Sequence, residues 1–359
     1  MINKKILVAM SGGVDSSLTA AILQDRGFKV IGVTMKLTDE EIFSSDRSCC
    51  SADEANDARR VADFLGIDHY VVDFHEDFQD KVVNYFVDEY LNGRTPNPCV
   101  ACNKFIKFGK LFDFAEEIGA DFLATGHYAR VENVDGKFFL KKGFDLKKDQ
   151  SYVLYNLTAD QLSKIILPLG DQSKEQTRSL AEKYNLPVAH KPDSQEICFV
   201  PNDDYKKFLL DHADKNSLAL QDGEIVDVNG KVLGTHNGAA FYTIGQRKGL
   251  GIAAEKPLYV IKSDVKNKRV IVGGGDQVFC KSLTANNLNW IYQQSFPFKA
   301  AAKIRYGSKV ADCLVELIDD KKISVIFDEP QRAATKGQSI VFYDDEIVLG
   351  GGIIDEVNN

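Results

Sequence analysis

The sequence predicts an α/β protein: a parallel-sheet domain first, a small mainly-β domain next, and a C-terminal β-barrel last. Three observations carry the prediction. Short apolar runs alternate with amphipathic helical segments through the first half of the chain. A Gly-Gly turn rich in hydroxyl residues joins the first such run to the first helix. After about Val200, glycine-rich turns separate short strands and helical spacing fades.

The elements follow in order. Residues 5–10 (KILVAM) are apolar without a polar break, as expected of a strand buried on both faces. Residues 16–25 form a helix that Gly27 stops. Residues 30–37 (VIGVTMKL) are the second strand, 53–65 a helix with Ala58, Val61, Ala62 and Leu65 on one face, and 70–74 the third strand. A helix over 75–91 turns Phe78, Val82, Tyr85 and Phe86 inward. Another over 104–118 carries Phe105, Phe108, Leu111, Phe112 and Ala115 at helical spacing, and 121–128 (DFLATGHY) is a further strand. Repeated strand–helix units imply a Rossmann-like parallel sheet covered by helices. Beyond it, strands are expected at 224–228, 231–233, 258–262 and 269–273, with Asn229-Gly230 as a hairpin turn. Strands at 298–306, 312–317, 323–327 and 339–343 suggest a closed or nearly closed small barrel. The expected domains are 1–202, 203–277 and 278–359.

At 359 residues, with 44% hydrophobic and 27% charged residues, the chain can build cores of ordinary size. A net charge of −8 excludes a protein that coats nucleic acid non-specifically, while leaving room for a local basic surface. No apolar run approaches the ~20 residues that span a bilayer. The start, Met1-Ile2-Asn3-Lys4-Lys5, runs straight into an apolar strand with no cleavage-site pattern. A cytoplasmic protein without membrane association is expected. Seven cysteines, an odd number, point to catalytic or metal chemistry rather than disulfide staples.

Ser11-Gly12-Gly13-Val14-Asp15-Ser16-Ser17 has the composition of a phosphate cradle. Its glycines let backbone N–H groups approach phosphate oxygens, and the following helix N-terminus adds partial positive charge. Asp15 is unusual in an anion nest and suggests a Mg²⁺ beside the pyrophosphate. The loop lacks the Gly-Lys-Ser/Thr ending of a Walker A motif, so cleavage between the α- and β-phosphates of ATP is expected. The segment resembles the PP-loop ATP pyrophosphatases, whose members adenylate a substrate and release pyrophosphate.

Asn97-Pro98-Cys99-Val100-Ala101-Cys102-Asn103 precedes the helix expected from Lys104. Cys102 would lie at its N-terminus near Lys104 and Lys107, both of which favour the thiolate. Cys198 follows in Asp193-Ser194-Gln195-Glu196-Ile197-Cys198-Phe199. With these segments the chain resembles one family closely, the tRNA-specific 2-thiouridylases. The resemblance rests on AMSGGVDSS, NDARRVADFLGI, NGRTPNPCVACN, ATGHYAR, KDQSYVLY, KPDSQEICFV and YTIGQRKGLGI, spread nearly end to end.

The resemblance implies that ATP adenylates O2 of the wobble uridine, U34, in tRNAs for Lys, Glu and Gln. A sulfur-relay or cysteine desulfurase partner loads Cys198 as a persulfide. Its sulfur attacks C2 directly, or leaves as sulfide while Cys102, the nucleophile, forms a disulfide with Cys198. An alternative is an iron–sulfur cluster on Cys99, Cys102 and Cys198. The resemblance also places Ala9, Met10, Ser11, Gly12, Gly13, Val14, Asp15, Ser16, Met35 and Gly126 around ATP. It places Asn97, Pro98 and Cys99 beside the extruded base, and His127, Lys148, Asp149, Gln150, Arg305, Tyr306 and Gln338 against tRNA. Lys141, Lys142, Lys147, Lys148, Arg247 and Lys248 are the expected phosphate contacts. Cys49-Cys50 is expected in a loop near the site, and Cys280 and Cys313 in the core. Two rivals stay open: a different PP-loop enzyme with no need of paired cysteines, and a metal-binding RNA-binding protein that retains an ATP fold.

Overall fold

The computed structural model describes residues 3–38, 52–193 and 197–358. Cys49 and Cys50, and Ser194, Gln195 and Glu196, lie outside the described residues. The chain divides into two compact units, one of residues 1–82, 99–204 and 346–348, the other of 83–98, 205–345 and 349–359.

In the first unit, strand β1 (Lys5–Ala9) leads into helix α1 (Val14–Asp25), β2 (Lys29–Lys36), α2 (Ala52–Leu65) and β3 (Asp68–Asp73). Strand β4 (Phe122–Ala124) comes later, then a hairpin of β5 (Ala129–Val134) and β6 (Lys137–Lys142), then the short β7 (Ile165–Ile166). The sheet order is β3-β2-β1-β4-β7, and every neighbouring pair is parallel. Ile6, Leu7 and Val8 of β1 are fully buried, as an unbroken apolar run in a central parallel strand requires. Chain order runs outward from β1 in both directions. A crevice therefore opens at the carboxyl ends of β1 and β4, where such sheets bind ligands.

Three expectations need correction here. The strand expected over 121–128 ends at Ala124, and the β5–β6 hairpin follows it. Thr125–Tyr128 leaves the sheet because Gly126 is pressed against the phosphate loop. The helix over 75–91 is interrupted by a π-helical stretch, Gln79–Asn84. The helix expected from Lys104 begins at Pro98: Pro98–Cys102 is α-helical, Asn103–Lys110 is π-helical and Leu111–Glu117 is α-helical again. The wider π turn shifts the buried face by one residue. Phe105 is 39% exposed, whereas Ile106 is fully buried.

In the second unit, β8 (Gly223–Asp227), β9 (Val232–His236), β10 (Tyr259–Asp264) and β11 (Arg269–Gly273) form a sheet of order β10-β11-β8-β9. Six longer strands follow: β12 (Phe279–Trp290), β13 (Phe298–Lys303), β14 (Ala311–Asp319), β15 (Lys322–Arg332), β16 (Ser339–Asp344) and β17 (Ile347–Asn358). They join in the order β12-β15-β14-β13-β16-β17, and β12 pairs with β17, so the barrel closes and has no open edge. Its interior is filled by alternate residues such as Cys313, Val315, Ile323, Val325 and Phe327. Burial pushes the Cys280 and Cys313 thiols up to about 11 and about 12, so both are packing residues rather than nucleophiles.

Candidate nucleotide and sulfur-transfer site

The phosphate loop is shaped by its own hydroxyls. Ser16 Oγ accepts from the Ser11 N–H (3.1 Å) and donates to the Gly13 carbonyl (3.2 Å), while Ser17 Oγ donates to that same carbonyl (2.8 Å). Gly12 has φ +68°, and a Cβ there would collide with the Glu54 carbonyl of α2. Gly126 closes the other side. Its Cβ would stand 2.9 Å from the Asp15 carbonyl carbon and 3.0 Å from the Ser16 nitrogen. These two contacts place the N-terminus of α1 in the crevice between β1 and β4, its backbone donors available to an anion. Met10 is buried, and its carbonyl accepts from Thr34 Oγ1 at 2.8 Å. Met35 is half-buried near the end of β2, with Ala9 ending β1 and Val14 buried at the start of α1.

Four side chains that the sequence did not single out organise the charge. Lys174 is the first residue of the helix Lys174–Lys183, fixed there by a capping box between Ser173 and Gln176. Its Nζ lies 2.8 and 2.9 Å from the two Asp15 oxygens and 2.9 Å from Asp193 Oδ1. Tyr128 donates its hydroxyl to Asp15 Oδ1 at 2.8 Å. Burial and the Asp15 charge push that phenol well up, so it stays a donor. Asp193 also meets Lys148 Nζ (3.0 Å) and Arg178 Nη2 (2.7 Å). Burial raises this carboxyl, but the bonds from Lys174 and Lys148 outweigh it and hold Asp193 below the ordinary range. On the opposite side of the loop, Lys191 Nζ donates to the Gly12 carbonyl (3.2 Å) and pairs with Asp57 (2.9 Å). Glu54 lies 3.8 Å from Lys191; burial, opposed by Lys191 and aided by Asp57, pushes its carboxyl up to about 7. Lys191 and Asp193 stand in the quoted KPDSQEICFV segment and Lys174 at a legible helix start. Only the tertiary fold shows that Lys174 and Lys191 meet the loop and that Asp193 joins it through Lys174.

The Asp15 carboxylate, expected to call for Mg²⁺, finds its cation in Lys174. A metal ion here would share or displace the donors of Lys174 and Tyr128. Among the described residues no three His, Cys, Asp or Glu side chains converge as a metal site, the trio Cys99, Cys102 and Cys198 included.

Cys99 is exposed in the first turn of the helix that starts at Pro98. Cys102 is 9% exposed and lies a full turn inside that helix, not at the N-terminus expected from the sequence. The dipole effect fades within a turn, so it reaches Cys99 more strongly than Cys102. Cys198 is half-buried in a turn closed by the Val200 N–H on the Ile197 carbonyl (3.0 Å). Phe199 anchors that turn edge-on to Phe78, with ring centroids 5.6 Å apart.

The residues expected against tRNA divide by burial. His127 is buried, hydrogen-bonded to Thr125 Oγ1 (2.7 Å), and burial with the nearby Lys107 charge holds its imidazole neutral. Asp149 is buried and accepts from the Gly143 and Ser151 amides and the Ser151 hydroxyl, each at 3.0 Å. Gln150 Oε1 accepts from the Tyr128 N–H at 3.0 Å. Asp149 and Gln150 thus shape the turn that presents Lys148. Lys141 pairs with Glu132, while Lys147, Arg247 and Lys248 are exposed. In the second unit, Asn97 is half-buried and Pro98 buried, Tyr306 is 43% exposed, and Arg305 donates to the carbonyls of Arg332 and Ala333. Gln338 contacts the carbonyls of Thr95 and Pro96.

Comparison with known proteins agrees with this layout. Residues 4–202 match the tRNA methyl transferase HUP domain, 206–274 the tRNA methyl transferase PRC-barrel domain and 280–354 the aminomethyltransferase beta-barrel domain. The chain is 52% identical to the tRNA-specific 2-thiouridylase MnmA of Carboxydothermus hydrogenoformans, over 98% of each chain. It is 50% identical to that of Acetivibrio thermocellus, over 99% of this chain and 100% of the relative. To that of Clostridioides difficile it is 47% identical over 99% of both.

Proposed function

The chain belongs to the tRNA-specific 2-thiouridylase family, and from that premise we propose that it is a sulfurtransferase that makes 2-thiouridine at U34 of tRNA, using ATP. The observation that supports this most is the hydroxyl-pinned loop at the β1–β4 crevice, with Lys174 beside it. That is a site for the pyrophosphate of ATP in a fold with no Walker lysine.

The uridine O2 attacks the α-phosphorus, and the bond to the β-phosphate breaks. Backbone N–H groups of Gly12 to Ser16 take the phosphate charge, with Ala9, Met10, Met35 and Gly126 around the nucleoside. Lys174 takes the charge of the departing pyrophosphate. A Mg²⁺ entering with ATP, held by its phosphates and Asp15, would supply further neutralisation. The O2-adenylate makes C2 electrophilic. The terminal sulfur of a Cys198 persulfide then bonds to C2. The Cys102 thiolate attacks Cys198 Sγ and breaks the S–S bond; AMP leaves as the C2–O bond breaks and the thiocarbonyl forms. The resulting Cys102–Cys198 disulfide needs an external thiol before the next turnover. Release of sulfide ahead of attack reaches the same product. A cluster on Cys99, Cys102 and Cys198 does not fit the present arrangement, and no step depends on it.

The substrates on this reading are tRNAs for Lys, Glu and Gln, and the sulfur comes from a sulfur-relay or cysteine desulfurase protein. Residues 1–202 perform the chemistry; 203–277 and 278–359 hold the tRNA. Among the described residues no helix is long and apolar enough to cross a membrane. The test is incubation with ATP, Mg²⁺, unmodified tRNA and a cysteine desulfurase with cysteine as persulfide source, alongside a sulfide-only arm, with mass spectrometry of the nucleosides. Under anaerobic conditions 2-thiouridine is expected, and its absence would overturn the reading. Cys198→Ser and Cys102→Ser should lose persulfide-driven thiolation while still releasing pyrophosphate.

A further inference from the structure

The peptide between Gly12 and Gly13 is the most easily rotated one in the phosphate loop. Neither of its residues carries a Cβ, so sterics alone do not fix which way its carbonyl points. The first glycine is required where it stands. Its φ is +68°, and a Cβ would lie 2.3 Å from the Glu54 carbonyl oxygen. Close packing of the loop on α2 therefore leaves this peptide needing a hold from elsewhere.

Its orientation matters to an anion. In a trans peptide the C=O and the N–H point in opposite directions. Turning the Gly12 carbonyl toward α2 directs the Gly13 N–H away from α2, together with the amides that begin α1. A flipped peptide would set a carbonyl oxygen against phosphate instead. Gly13 is the N-cap residue of α1, and its own carbonyl is already held by the hydroxyls of Ser16 and Ser17. The Gly12 carbonyl is held by Lys191, whose Nζ donates to it at 3.2 Å. Lys191 is itself anchored at both ends. Its ammonium pairs with Asp57 at 2.9 Å and lies 3.8 Å from Glu54, both on α2. Its N–H donates to the Val188 carbonyl (3.0 Å), and its carbonyl accepts from Arg178 Nη1 (3.2 Å).

We propose that Lys191 is a positioning residue for the phosphate loop: by holding the Gly12 carbonyl it keeps the Gly13 N–H turned toward the phosphates of ATP. This rests on the reading that the loop binds those phosphates. The role differs from that of Lys174, which meets the Asp15 carboxylate directly. Lys191 acts through the backbone.

The experiment compares wild type, Lys191→Met and Lys191→Arg by calorimetric titration with Mg²⁺-ATP and with inorganic pyrophosphate, and by tRNA filter binding. In Lys191→Met the Kd for ATP and for pyrophosphate should each rise about tenfold, the worth of one charge-assisted hydrogen bond. The tRNA Kd should stay within about threefold, which general damage to the fold would not allow. Lys191→Arg keeps a cationic donor and should recover most of the lost affinity. Unchanged ATP and pyrophosphate affinity in Lys191→Met, or an equal loss of tRNA affinity, would overturn the proposal. A crystal structure of wild type with pyrophosphate decides the point even if Lys191→Met folds poorly. Lys191 Nζ should remain on the Gly12 carbonyl, and finding it on a phosphate oxygen instead would make it a direct ligand and end the proposal. Wild type that binds ATP as expected yet makes no 2-thiouridine would refute the functional reading alone. Wild type that binds neither ATP nor pyrophosphate would refute both.

Discussion

Lys174 shows how a site's charge balance can rest on one side chain. Its ammonium stands between Asp15 and Asp193, and the side chain is 12% exposed. Exchanging it for methionine removes the cation bonded to both Asp15 oxygens, while Asp193 keeps Lys148 and Arg178. Pyrophosphate release by Lys174→Met should therefore fall on the order of 10²-fold, the usual loss when one preorganised charge partner is removed. A steady-state assay of pyrophosphate, read as phosphate after coupling to an inorganic pyrophosphatase, measures it. Glu54 tests the other side of the loop. Its carboxyl is raised from 4.5 to about 7, so the folded chain binds more protons than the unfolded one between those values. Its contribution to stability is full below pH 4.5 and is lost as pH rises through 7. Glu54→Gln mimics the neutral form. After discounting for solvent it should add roughly 1–2 kcal/mol at pH 8 and far less at pH 5, as urea denaturation would show.

At the scale of elements, the helix carrying Cys99 and Cys102 departs most from regular geometry. A π turn between Asn103 and Lys110 takes more residues per turn than the α-helical spacing assumed from sequence. It turns Phe105 outward and Ile106 inward. Phe105→Ala should therefore cost under about 1 kcal/mol and Ile106→Ala about 2–4 kcal/mol. Denaturant unfolding of the two variants distinguishes this from a regular helix, which would reverse the order. Its start at Pro98 has a local cause: proline fits the first helical position, where an N–H has no intrahelical partner. That proline was visible in the sequence, but an extended approach and a helix start are both compatible with it. Only packing chose between them.

At the scale of the molecule, a chain of net charge −8 must bind tRNA through local basic patches. Lys141 and Lys148 are drawn into ion pairs with Glu132 and Asp193, which weakens their claim on phosphates. tRNA affinity should thus fall with log salt at a slope of about −3 to −5, fewer than six phosphate contacts' worth. Filter binding across a salt series checks it. The sequence by itself determined the parallel sheet, the phosphate loop and the barrel. Burial on both faces, glycine at a close approach and alternating strands each leave a pattern within a few neighbouring residues. It also marked Cys102, Cys198 and the segment around Pro98. Only the tertiary structure decided that Lys174, Tyr128 and Lys191 converge on the loop with Asp193 behind Lys174, and that Gln338 grips Thr95 and Pro96. Those contacts join residues up to 243 positions apart, and pairing at such separations is set by the fold's topology, which no local pattern of residue types records.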